Sequence, residues 1–279
     1  MEVSWMNNSN NEAGGSIKPG DTFTVAVAGK GGTGKTTVSG LVIRELVRRE
    51  LGSVLAIDAD PNSNLNELLG FEINGTIGQL EARFNRADDV PAGMSKKRWI
   101  EYKLQQLIIE GRGKDLLVMG RGEGPDCYCS VNNILRNYLS NLRENYDFVV
   151  LDNEAGLEHL SRRTTSGIDV LLTVCDPNPV ALKAAERIDE LVEELGIAIT
   201  RNYLVLNEVP ETLPKKTRDM VSGLGIEVLG RIPKDENVRQ LSWEARPLAE
   251  LEDDSPAAEA VSRMVEEFVP ESAKTLNQR

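Results

Sequence analysis

Thr22-Phe23-Thr24-Val25-Ala26-Val27-Ala28-Gly29-Lys30-Gly31-Gly32-Thr33-Gly34-Lys35-Thr36-Thr37 is the stretch whose reading decides the rest. Its first seven residues are apolar or β-branched, as a buried strand requires, and a helical pattern starts at Val38. Between them, Gly29 to Thr36 satisfies G-x-x-x-x-G-K-S/T in the strand–loop–helix setting that gives this motif its meaning. Glycines let the backbone curl until successive N–H groups point at one place, at the positive end of a helix, which makes a phosphate site. Nucleotide binding is therefore expected of Gly29, Lys30, Gly31, Gly32, Thr33, Gly34, Lys35, Thr36 and Thr37. Lys35 is expected to reach the β- and γ-phosphates, and Thr36 to place its hydroxyl on Mg²⁺.

Outward from this loop, β-rich apolar runs alternate with helical patterns. Strands are expected at Thr22–Ala28, Val54–Asp58, Asp115–Met119, Asp147–Asp152, Val170–Val174, Tyr203–Asn207 and Glu227–Ile232. Several are almost continuously apolar, as strands covered by helices on both faces should be. A helix is expected over Val180–Leu195, with Leu182, Ala185, Ile188, Leu191, Val192 and Leu195 as its apolar stripe and Gly196 as its end. The alternation predicts an α/β fold: a mainly parallel, doubly wound sheet with right-handed crossovers. Residues 1–21, rich in Asn, Gly and Ser, read as a disordered leader; residues 22–270 read as one P-loop domain, and 271–279 as a tail. A segment at about 75–130 breaks the rhythm and reads as a partner- or metal-binding insertion.

Composition narrows the function classes. The 279 residues are 40% hydrophobic and 27% charged, with a formal net charge of -12. Such acidity repels phosphate backbones and anionic headgroups, so neither nucleic acid nor membrane is an expected partner. The short basic cluster Lys96-Lys97-Arg98 reads as a solvated helix face. With no long apolar run and no signal-peptide pattern, the expected location is cytoplasmic. Three cysteines do not make a disulfide framework.

Carboxylates at strand ends come next. The strand SVLAI ends in Asp58-Ala59-Asp60, and FVVLD ends at Asp152 before Asn153-Glu154-Ala155-Gly156. Ligands of open α/β sheets bind outside the carboxyl ends of strands, and an apolar run closing on Asp152 is the pattern that holds Mg²⁺ directly or through water.

KGGTGKTT, with its second lysine at Lys30, resembles the deviant Walker A loop of the MinD/ParA/nitrogenase iron protein class, the SIMIBI type of P-loop NTPase. The resemblance implies an ATPase with ATP/ADP and Mg²⁺ as cofactors. It also implies an ATP-dependent homodimer in which Lys30 reaches the other subunit's nucleotide. Asp60 then matches the residue that orients the attacking water, and Asp58 supports the loop or the Mg²⁺ shell. Gly156 matches a γ-phosphate sensor. Catalytic roles thus fall to Lys30, Lys35, Asp60 and Asp152. YLVLN ending at Asn207, and Ile232-Pro233, match the class's adenine pocket; as a residue alone, Asn207 reads equally as a helix N-cap.

The pair Cys127-Tyr128-Cys129 offers two thiolates per chain, and two chains about a dyad offer the four of a closed tetrahedral site. Together, PDCYC and DNEAGLEHLSRRT resemble the CooC-type accessory ATPases that mature nickel enzymes, over about Thr22 to Leu248. That resemblance implies nickel, or zinc in its place, on Cys127 and Cys129, and a client such as carbon monoxide dehydrogenase or acetyl-CoA synthase. The long leader and details of the Asp58–Asn64 loop depart from it. Two other readings stay open: a MinD/ParA-like positioning ATPase, and an iron–sulfur ATPase of the nitrogenase iron protein type. The single histidine, His159, reads as a relay, a remote metal ligand or a structural residue, and Cys175 as core.

Overall fold

Eight strands form one sheet in the computed structural model, which describes residues 22–84, 90–121, 137–154 and 167–271. The order is β3-β4-β2-β5-β1-β6-β7-β8. The strands are β1 (Phe23–Gly29), β2 (Val54–Asp58), β3 (Ile109–Glu110), β4 (Lys114–Val118), β5 (Phe148–Asp152), β6 (Ile168–Cys175), β7 (Ile199–Val209) and β8 (Glu227–Pro233). Only the short edge strand β3 runs antiparallel to its neighbour, and the other six pairings are parallel. Parallel strands need crossovers, and these build a helical layer on each face.

Residue alternation sorts the sheet between those layers. Val25, Val27, Val54, Ala56, Val150 and Leu172 meet α1 (Lys35–Arg48), α2 (Leu65–Leu69) and the C-terminal helix Pro256–Phe268. Ala26, Ala28, Leu55, Ile57, Val149 and Leu151 meet the opposite layer. That layer contains α3 (Ile77–Phe84), α4 (Lys96–Gln105), α5 (137–143) and part of α6 (Pro179–Leu195). Each buried Val, Leu or Ile among them contributes roughly 1.5–3 kcal/mol, which is why the strands read as unbroken apolar runs. The remaining helices are α7 (Lys215–Gly223), α8 (Glu236–Trp243) and α9 (Pro256–Phe268).

Within the segment expected as an insertion, Ile77, Leu80, Trp99, Ile100 and Leu104 pack on Leu55, Ile57 and Leu117, while β4 pairs with β2. Among the described residues of this segment, Ile77–Phe84 and Lys96–Gln105 therefore belong to the second layer and Lys114–Val118 to the sheet. The leader 1–21, residues 122–130 and most of the tail lie outside the described residues. In α6, Asn178 accepts from the N–H groups of Val180 and Ala181, both at 2.9 Å, and Gly196 ends the helix at φ 60°. Leu182, Ala185 and Ile188 are buried as the stripe requires, whereas its last member, Leu195, reaches solvent. β7 extends four residues before its expected start because polar side chains there are bonded. Arg201 donates to the Phe268 carbonyl at 2.6 Å and Asn202 to Asp189 at 2.6 Å.

One buried charge ties α1 to α9. The Glu45 carboxylate accepts from Arg48 Nε at 2.8 Å and from Arg49 Nε at 2.5 Å, and Arg49 reaches on to Ser262. Burial alone would raise its pKa, but the bonds from Arg48, Arg49 and Ser262 outweigh that and hold it near 2, below its ordinary 4.5. A depressed folded-state pKa stabilises the fold above the unfolded value, and the benefit is lost as pH falls from about 4.5 towards 2. Glu45→Gln should cost about 1–3 kcal/mol at pH 7 by urea unfolding. The gap to wild type should close as the pH approaches 2; a gap independent of pH would contradict the ion-pair origin.

Candidate functional site

The loop after β1 gets its shape from two glycine contacts. A Cβ on Gly29 would lie 2.2 Å from the Val174 carbonyl oxygen of the neighbouring β6, so only glycine can pass there. Gly34 has φ 84°, and a Cβ on it would lie 2.2 Å from Asn207 Nδ2. Within the loop, the Thr33 hydroxyl donates to the Lys30 carbonyl at 2.8 Å. Lys35 Nζ donates to the same carbonyl at 3.4 Å, so a buried ammonium rests against the loop. Gly34 begins α1 with no side-chain cap, leaving first-turn N–H groups for an anion. Lys30, Gly31 and Gly32 are exposed.

The sheet register delivers the carboxylates. Asp152 lies opposite Val27 of β1 on one side and opposite Asp58 of β2 on the other. Its Oδ1 accepts from the Ser39 hydroxyl of α1 at 2.9 Å, and the Thr36 hydroxyl also bonds to this carboxylate. Its Oδ2 is buried without a hydrogen-bond partner. Burial pushes the Asp152 pKa up and the Asp60 charge adds to this, while Thr36, Ser39 and the Lys35 charge oppose it. Asp58, fully buried, accepts from the N–H of Asp60 at 3.0 Å and of Leu65 at 3.1 Å. Desolvation, with help from Asp152 and Asp60, raises its pKa to about 7 against those two bonds. Asp60 is half-buried and accepts from the Asn62 N–H at 2.8 Å.

A leftover buried carboxylate oxygen beside a threonine hydroxyl and below a phosphate loop fits Mg²⁺. That ion takes oxygen ligands, often one or two carboxylates with the rest from phosphates and water.

A cavity of about 320 Å³ opens beside the loop, walled by Gly34, Thr37, Asn207, Ile232, Pro233 and Val238. Asn207 is no helix cap, because the next helix is capped at Pro214. Instead its Nδ2 donates to the Thr33 carbonyl at 2.9 Å and braces the loop from β7. Asp235 shapes the far wall. It accepts from the Asn237 and Val238 N–H groups at the start of α8, and from Ser255 and Ala257 at the start of α9. Four donors leave this carboxylate engaged with its own chain.

Three contributors went unread in the sequence: Ser39, Asp235 and Asn153. Asn153 is buried and ties the end of β5 to β1 through bonds to the Val27 and Leu151 carbonyls. A polar residue directly after a buried strand was the available signal. Cys127, Cys129, Gly156 and His159 lie outside the described residues. Cys175 is core, its thiol pushed up to about 12 by burial and by the neighbouring Asp176 charge.

A glycine-rich loop feeding an uncapped helix at the carboxyl edge of a parallel sheet, with a buried Asp beside it, defines a P-loop NTPase of the SIMIBI type. The chain belongs to the family described as CbiA, the CobQ/CobB/MinD/ParA nucleotide binding domain, which matches residues 24–248. It is 38% identical over 248 residues to an uncharacterized ATP-binding protein of Methanocaldococcus jannaschii, covering 88% of this chain and 98% of that one. It is 31% identical over 185 residues to the carbon monoxide dehydrogenase accessory protein CooC of Rhodospirillum rubrum, covering 62% and 70% respectively. In fold it is similar to the septum site-determining protein MinD complexed with Mg-ADP from Pyrococcus horikoshii. The TM-score is 0.63 at 23% identity, with 89% and 96% of the two chains covered.

The loop geometry separates two glycines sharply. Gly34→Ala must strain a positive φ and displace Asn207, whereas a Cβ on Gly31 meets nothing within 4 Å. Gly34→Ala should lose about 1–3 kcal/mol of stability and bind ADP more weakly, while Gly31→Ala should melt as wild type does. Equal melting temperatures for all three proteins would contradict the bracing role of Asn207.

Proposed function

We propose that this chain is an ATP-hydrolysing metallochaperone, which carries nickel (or zinc in its place) at a dimer-interface cysteine site and delivers it to a nickel enzyme. The observation that carries the nucleotide half is the unpartnered Oδ2 of Asp152 beside the Thr36 hydroxyl. The cargo half rests on the similarity to a carbon monoxide dehydrogenase accessory protein and on Cys127 and Cys129.

Thr36 and Asp152 would hold Mg²⁺, which supplies charge neutralisation across the β- and γ-phosphates. The loop N–H groups and Lys35 bind and orient the phosphates, and the cavity at Asn207 and Pro233 takes the adenine. Asp60 orients water for attack. Asp58 ties that loop to the start of α2 through Leu65, so a displacement at Asp60 is passed to the helix behind it. Lys30, exposed on the loop, supplies a positive charge to the partner subunit's nucleotide. ATP thereby favours a closed homodimer, in which two Cys127/Cys129 pairs present four thiolates to one soft or borderline metal. Linkage makes the effects mutual: if ATP favours the dimer and the dimer favours metal, each ligand strengthens the other. Hydrolysis reopens the dimer and weakens the metal site for transfer to the client, a carbon monoxide dehydrogenase or an acetyl-CoA synthase.

Metal stoichiometry on the ATP-bound dimer tests this reading. About one nickel or zinc per two chains is expected, lost in Cys127→Ser and in Cys129→Ser while ATP binding persists. Thiolates must lose protons to bind, so affinity should weaken as pH falls. One metal per chain, or none, would overturn the shared site and favour a positioning ATPase. The brown absorption of a cluster would instead mark an iron–sulfur ATPase.

A further inference from the structure

A cavity of about 520 Å³ lies away from the phosphate loop. It is an open cavity lined by α1 from Gly40 to Arg48, by the end of α2, by the first residue of β4 and by residues 248–253. Its size falls within the range of small-molecule sites. Packing makes the walls tight where these elements touch. A Cβ on Gly40 of α1 would meet Leu248 Cδ1 at 2.8 Å and Leu68 Cβ at 3.5 Å.

Most charged groups of the cavity are paired, but the buried Arg44 Nε has no hydrogen-bond partner and Glu252 has no cation within ion-pair distance among the described residues. Asp253 is paired with Arg44 at 2.6 Å and with Arg48 at 3.6 Å. Glu250 is paired with Arg246 at 2.5 Å, and Glu252 is exposed. Arg44 is further fixed by donating to the Leu251 carbonyl at 2.5 Å. Lys114 is different. It is half-buried, its pKa is lowered by desolvation, and no carboxylate lies within ion-pair distance of it among the described residues. Its ammonium sits 5.4 Å from the centre of the Phe71 ring, which is weak compensation for a desolvated cation. The adjoining wall is apolar: Val47, Leu68, Leu69 and Leu248.

We propose that this cavity is a second ligand site, taking a small organic anion with its carboxylate or phosphate head on Lys114 and its apolar body along Val47, Leu68, Leu69 and Leu248. The site differs from the nucleotide cleft in its elements and in its chemistry, and it does not depend on the metal cargo. Helix α2 links this cavity to the phosphate loop. Leu68 also lines the cleft beside Thr36 and Thr37, and α2 begins at Leu65, whose N–H is held by Asp58. An occupant pressing on Leu68 and Leu69 therefore acts on the helix that follows the Asp58–Asp60 loop, so occupancy tunes ATP turnover.

The full chain, saturated with Mg-ADP so that its nucleotide site is blocked, is titrated with hexanoate, with hexyl phosphate and with hexylammonium, read by Leu and Val methyl NMR. At least one of the two anions should give saturable shifts at Val47, Leu68, Leu69 and Leu248, with Kd of order ~1 mM. The stronger of the two assigns the head group. Lys114→Gln should weaken that anion about tenfold or more, and Lys114→Arg should restore it, which separates lost charge from lost fold. In steady-state assays the same anion should change ATP turnover of wild type and leave Lys114→Gln unaffected. No saturable shift, equal binding of hexylammonium, or equal affinity in Lys114→Gln would overturn the site. Unchanged turnover with the cavity saturated would overturn the coupling.

Discussion

Asp152 is taken out of water at the end of β5 and given fewer hydrogen bonds than its two oxygens can accept. Ser39 and Thr36 of α1 supply donors, and Oδ2 receives none. Left so, a buried carboxylate costs several kcal/mol and drifts towards its protonated form, the direction in which its pKa is displaced. The arrangement is coherent only if something positive completes it when the protein works. Each structural choice around it serves to hold that incomplete group in place.

The strand order is the largest of these choices. β1 lies between β5 and β6, so the loop that leaves β1 crosses the sheet beside Asp152 and against Val174. β2 on the other side of β5 brings Asp58 level with Asp152. Desolvation first and then the Asp152 charge raise the Asp58 pKa, and the Leu65 and Asp60 N–H groups on Asp58 offset part of that cost. The same bonds make the loop after β2 a mechanical extension of the site. Asn153 and Asn207 then fix the backbone from opposite directions, one tying β5 to β1 and the other tying β7 to the loop. A site braced by buried side-chain amides from two strands gains rigidity where the glycines would otherwise give freedom.

The sequence discloses the layers through the burial of the strands. Val54–Asp58 is bounded by Gly52 and by the turn at Asp60-Pro61, and β2 has those limits. The ends of β7 were not legible, because Arg201 and Asn202 look like loop residues until their partners on α9 and α6 are seen. The crossover between β2 and β4 read as an appendage for a related reason. Its helix α4 carries Trp99, Ile100 and Leu104 among many charged residues, and that periodicity is weak without the sheet beneath it. The phosphate loop was legible because its chemistry is backbone chemistry, written in the glycines that permit it. Ser39, Asn153 and Asp235 were not, since each acts through a partner more than 20 residues away or on another strand, or at the start of another helix.

The account turns on what completes Asp152. Calorimetric titration of ATP with and without Mg²⁺, on wild type and on Asp152→Asn, addresses this directly. Mg²⁺ should strengthen ATP binding to wild type by about tenfold or more and leave Asp152→Asn nearly unaffected, with the Asn variant folded and still binding the nucleotide. Equal enhancement by Mg²⁺ in both proteins would contradict the claim that this carboxylate is the protein's hold on the ion.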